Sequence, residues 1–101
     1  MSKVAMMGTI TCQEGKADDM AEVLTAMVTA AHDEPGIEVH PYHRSGENTF
    51  GFFALMTDAE SVQNHGQTEA MTAAMEAFMP LMAEPPKIST GTPVAAIGLD
   101  L

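Results

Sequence analysis

The 101-residue chain has no tryptophan, a single tyrosine, a single cysteine and only four basic residues, Lys3, Lys16, Arg44 and Lys87. Each scarcity closes off a class of function. Cys12 on its own cannot form an intrachain disulfide and supplies no CxxC pair for zinc or dithiol chemistry. Four cations against 14 carboxylates leave a formal net charge of -10, which repels phosphate backbones and anionic headgroups. Neither nucleic acid nor a membrane is therefore an expected partner. No apolar run approaches the roughly 18 residues of a membrane span. The apolar stretch after Met1-Ser2-Lys3 breaks at Gly8 and Thr9, too early for a secretory core. With one cysteine, this makes a reducing cytoplasm the expected compartment.

What the chain does have is apolar content. Hydrophobic residues make up 46% and charged residues 18%, the balance of a globular protein rather than a disordered one. The length suits one domain, 1–101, with a core over 3–94 and an apolar extension over 95–101 that is expected to pack on something. A chain this short buries only about two thirds of its unfolded surface, which favours an oligomer over a monomer with a roomy interior.

Residues 4–12 read as a strand, β-branched and apolar up to the polar Gln13-Glu14-Gly15 turn. Over 16–32 the period changes to that of a helix, with Met20, Val23, Leu24, Met27 and Ala31 on one stripe and Asp18, Asp19, Glu22 and Thr29 opposite. Pro35-Gly36 ends it. Segments 37–44 and 49–56 form a strand hairpin around Ser45-Gly46-Glu47-Asn48. Thr57 and Glu60 have the spacing of a capping box for a short helix that His65-Gly66 interrupts. Thr68 caps a second helix with the stripe Met71, Met75, Phe78, Met79 and Met82, whose last turn Pro80 disturbs. A fourth strand occupies 87–94. This βαββαβ order predicts an α+β, ferredoxin-like fold with one antiparallel sheet, helices on one face and the other face bare. Pairing of two bare faces about a twofold axis predicts a homodimer.

In this register the chain resembles the antibiotic biosynthesis monooxygenase family, putting it with the dimeric α/β barrels. The resemblance is carried by Gln13-Glu14-Gly15-Lys16, Glu34-Pro35-Gly36, His43-Arg44, Phe50-Gly51-Phe52-Phe53, Thr57-Asp58 with His65, and Pro80-Leu81 with Pro85-Pro86. It covers roughly residues 3–94. It implies small monooxygenases that use dioxygen without a cofactor on phenols or quinols. Similar members carry a glutamate and a tryptophan where this chain has Ala54 and Met56, and commonly a tyrosine at His40.

Oxidising a phenol with dioxygen alone requires the substrate anion as the electron source. The site then needs a proton acceptor, donors for the oxyanion and an apolar chamber. Strand alternation puts Glu38, His40, Tyr42 and Arg44 on one face and Ile37, Val39, Pro41 and His43 on the other. By register with the family the His40 face looks toward the helices; by alternation alone it is equally a solvated polar face. His65 matches the family's histidine, and otherwise satisfies carbonyls at a helix end. The catalytic candidates are His40, Tyr42 and His65. Phe50, Phe52, Met56, Met71 and Met75 are the expected substrate-binding residues, a polarizable wall for a flat aromatic or else plain core. His43 is expected at the dimer interface, and His32 has no expected role. No metal site is expected, since His40 and His43 point to opposite faces and no HxH or HxxxH pair exists. The rival readings are an aromatic-binding dimer without catalysis, consistent with Ala54 and Met56, and a haem-binding relative.

Overall fold

A computed structural model describes residues 3–32, 34, 36–65 and 68–101, with the side chains of Val62, Asn64 and His65 outside that set. The elements run β1 (Val4–Thr11), α1 (Ala17–Ala31), β2 (Ile37–Val39), β3 (Tyr42–Arg44), β4 (Thr49–Met56), α2 (Ala59–His65), α3 (Glu69–Phe78), a 3₁₀ turn (Met79–Leu81) and β5 (Lys87–Gly91). All pairings are antiparallel, in the order β2-β4-β1-β5 with β3 also on β4, so the expected α+β architecture is present as an open sheet.

The register explains which face is buried. Met6 lies across from Ala54, Gly8 from Phe52 and Ile10 from Phe50, so alternation collects these residues on one face. There α1 lays down Met20, Leu24 and Met27 and α3 lays down Met71 and Phe78, forming the core with Ile10, Cys12, Phe50 and Phe52. The opposite face carries Met7, Thr9, Gly51, Phe53, Lys87, Ser89 and His43 by the same alternation. Met7 is 58% exposed there, while Leu55 at the far end of that face is buried.

Three expectations change in detail. The second strand is two strands, because Pro41 has no N–H for the ladder and the register shifts between Ile37 and Val39. The Pro41 carbonyl still accepts from Phe53 N at 3.3 Å, which holds the break against β4. Helix α2 is capped by Asp58, whose Oδ1 accepts from Ser61 N at 2.9 Å, and not by Thr57, whose hydroxyl donates to Glu38. Thr68 caps α3 as expected, accepting from Met71 N at 3.1 Å. The last strand stops at Gly91, and the tail beyond it returns to the start of β1, where Lys3 donates to the Asp100 carbonyl. Leu99 in that tail is half-buried, while Val94, Ile97 and Leu101 remain exposed, so the extension packs on the chain only in part.

Candidate functional site

Between the helix-covered face of the sheet and helices α1 and α3 lies a cavity of about 280 Å³. The sheet supplies Met6, Ile10, Tyr42, Phe52 and Ile88, the helices supply Met27, Met71, Met75 and Phe78, and the connecting segments supply His40 and Pro86. The break at Pro41 is what puts His40 here. With the strand interrupted, the His40 ring stands 4.9 Å from the Tyr42 ring and 5.9 Å from that of Phe52, centroid to centroid. Tyr42 and Phe52 are 5.4 Å apart, which completes a triangle of rings along one wall.

The two polar members differ in what they can do. Burial pushes the Tyr42 phenol up to about 12 from its ordinary 10, so it stays protonated and can donate to an oxyanion but not accept a proton. His40 is the other polar group of the lining, and an imidazole can either accept or donate a proton. The Tyr42 shift is directly measurable because the chain has one tyrosine and no tryptophan. Ultraviolet titration of the folded protein is expected to give a single phenolate midpoint near 12. A midpoint near 10 would mean the ring is in water. The sign for stability follows: the neutral phenol is favoured by folding, so its contribution is complete below about 10 and is lost as pH climbs through about 12.

Of the eight candidate residues, five (His40, Tyr42, Phe52, Met71 and Met75) line this cavity. Phe50 does not; it is buried in the core beneath the Arg44 guanidinium, 5.9 Å from its centroid, and borders a neighbouring groove of about 370 Å³ between α1 and β3, which His40 and Tyr42 also line. Met56 lines neither space, being fully buried in β4 as is Ala54. The His65 side chain lies outside the described residues. His43 lies on the opposite face, its ring so close over Gly51 that a Cβ there would sit 2.7 Å from His43 Cε1. Sequence reading missed Met6, Ile10, Met27, Phe78, Pro86 and Ile88 as lining. Met27 and Phe78 were visible only as stripe residues, and Met6 and Ile10 only as strand residues flanking Gly8.

Elsewhere the chemistry is quiet. The buried Cys12 thiol is pushed up by desolvation, which keeps it unreactive. Among the described residues no group of three or more His, Cys, Asp or Glu is arranged for a metal ion, and no helix is long and apolar enough to cross a membrane.

The sequence pattern of the antibiotic biosynthesis monooxygenase family matches residues 3–77. The fold is similar to that of a candidate antibiotic biosynthesis monooxygenase from Caulobacter crescentus CB15, with 25% identity, a TM-score of 0.86, and coverage of 93% of this chain and 92% of that one. It is equally similar to a protein of unknown function from Nitrosomonas europaea, at 25% identity and a TM-score of 0.85 over 99% and 97% of the two chains. A protein from Pseudomonas aeruginosa at 22% identity shares the fold with a TM-score of 0.83 over 94% and 97%. No curated protein matches the chain.

Proposed function

The chain belongs to the antibiotic biosynthesis monooxygenase family, and on that premise we propose that it oxidises a small aromatic phenol or quinol with dioxygen, the substrate anion supplying the electrons and no resident cofactor taking part. The observation that carries this is the convergence of one proton acceptor, one fixed donor and a wall of rings and thioethers on one cavity. His40 takes the substrate's hydroxyl proton. Tyr42 donates to the oxyanion left behind, and Phe52, Met71 and Met75 hold the ring. For an anthrone the step balances without another reductant: the CH₂ carbon gains one oxygen atom as a carbonyl and the second leaves with its two hydrogens as water. A cavity of about 280 Å³ lies at the small end of ligand sites, which suits a compact fused-ring molecule and is small for haem.

The test is oxygen uptake with a panel of quinols and anthrones. Uptake with matching loss of the phenol is expected, weakened by His40→Ala and His65→Ala; unchanged rates in both variants would defeat the assignment. A second reading, binding without turnover, is supported by Ala54 and Met56, both fully buried where similar members carry a glutamate and a tryptophan. It predicts saturable binding of the same compounds with no oxygen consumed.

We further propose that the protein works as a homodimer joined through its open sheet faces. In a chain with net charge -10, the residues that β1, β4 and β5 present on that face include no carboxylate, so two copies meet there with the least repulsion. The exposed Met7 is apolar surface on that face that such a pairing can cover. Sedimentation at micromolar concentration is expected to show a species of about twice 10.7 kDa, and a species near 10.7 kDa alone would contradict the dimer.

A further inference from the structure

We infer that Met75 is a peroxide-sensitive gate: conversion of its thioether to the sulfoxide shuts the cavity to flat aromatic ligands, and reduction reopens it. This rests on the aromatic-cavity reading above and adds a control to it.

Four thioethers line the cavity, from Met6, Met27, Met71 and Met75. Their accessibility is graded. Met71 and Met27 are 3% and 6% exposed, whereas Met75 is 36% exposed and shares the lining with the exposed Ile88. An oxidant arriving from water therefore meets Met75 before the interior thioethers. With hydrogen peroxide the step is a two-electron oxygen transfer: the O–O bond breaks, one oxygen binds the sulfur as a sulfoxide, and the other leaves as water with both peroxide protons. No further reductant or oxidant is required. The product exchanges a flexible apolar group for a polar, chiral one that needs a hydrogen-bond donor. Among the cavity's side chains only His40 and Tyr42 carry a donor; Met6, Ile10, Phe52, Phe78 and Ile88 carry none. A sulfoxide here takes a donor that the ligand's oxygen needs, is left unpaired against the apolar wall, or turns out to water so that the wall is lost. Met79 provides an internal control. It is 57% exposed, more open than Met75, yet it does not line the cavity.

The experiment exposes the whole protein to hydrogen peroxide, follows each sulfoxide by peptide mass spectrometry, and measures binding of 1-naphthol by fluorescence. Binding is expected to weaken about tenfold in step with oxidation at Met75 and out of step with Met79, an effect of the size that one unpaired polar group produces. Met75→Leu, compared with its own untreated affinity, is expected to show no further loss through the same treatment, while Met79→Leu gives no protection. Methionine sulfoxide reductases with dithiothreitol restore the parent. Binding that survives complete oxidation of Met75, equal loss in Met75→Leu, or Met75 left unoxidised while Met79 is fully converted would each overturn the gate alone. Failure of the reduced protein to bind 1-naphthol would overturn the cavity reading and the gate with it.

Discussion

His40→Ala is expected to lower kcat/KM for oxygen uptake with an anthrone or quinol by about 10²–10⁴-fold, the usual contribution of a positioned proton acceptor. Among the described side chains that line the cavity, His40 is the one suited to take the substrate's proton. Tyr42, with its phenol held near 12, remains an acid throughout the working range, and Phe52, Met71 and Met75 carry no base. The loss should be specific to chemistry. His40 sits at a strand break whose backbone is held by the hydrogen bond from Phe53 N to the Pro41 carbonyl, so its truncation removes ring contacts with Tyr42 and Phe52 but leaves that backbone pairing in place. The thermal midpoint of the variant should accordingly stay close to the parent's, and ligand binding should weaken much less than turnover. Substrates with more acidic hydroxyls should suffer least, because they need the acceptor least. His32→Ala, at the exposed end of α1, serves as the histidine control and should leave the rate unchanged. A variant that keeps the parent rate would reduce His40 to a wall residue.

Periodicity made the frame legible, and the frame is where it ended. The stripe Met20, Val23, Leu24, Met27 and Ala31 and the alternation of β1 and β4 follow from burial of one face, a signal spread over many residues; four of the five stripe positions are buried and Val23 is half-buried. The site turned on single atoms. Simple alternation over 37–44 places His40 and Tyr42 about 7 Å apart along an unbroken strand. The missing N–H of Pro41 interrupts that strand, and the rings close to 4.9 Å. The capping residue was misassigned for a related reason: Thr57 and Asp58 both carry a short acceptor, and local spacing cannot tell which one the Glu38 side chain will claim. Phe50 and Phe52 look equivalent in sequence, on one face of one strand. Only the position of Arg44 over the first, and of His40 and Tyr42 beside the second, separates a core ring from a cavity ring.

Phe52→Ala is expected to destabilise the protein by about 3–5 kcal/mol, as removal of a buried aromatic generally does, and to enlarge the cavity until aromatic ligands no longer bind. The ring is 8% exposed and stacks with both His40 and Tyr42, so its loss frees the two polar groups as well. Gly8 makes this position unusually demanding. It lies directly across from Phe52 on β1, and a Cβ placed there would fall 2.5 Å from Phe52 Cε1 and 2.7 Å from the Lys87 carbonyl oxygen. The ring lies over a glycine because only a bare backbone leaves it room. Gly8→Ala therefore overpacks, at a cost of about 1–3 kcal/mol, and drives the ring toward the cavity. The two substitutions are coupled with a definite sign. Two of the three atoms nearest a methyl at Gly8 belong to the Phe52 ring and the third is the Lys87 carbonyl oxygen, so the double variant should lose less stability than the two single losses added together. The shortfall belongs to the range of about 0.5–3 kcal/mol found for residues in contact. It should not reach the full cost of Gly8→Ala, because the carbonyl belongs to the β5 ladder and cannot step aside. Urea denaturation of the four proteins measures the cycle, and strict additivity would show that the ring does not rest on Gly8.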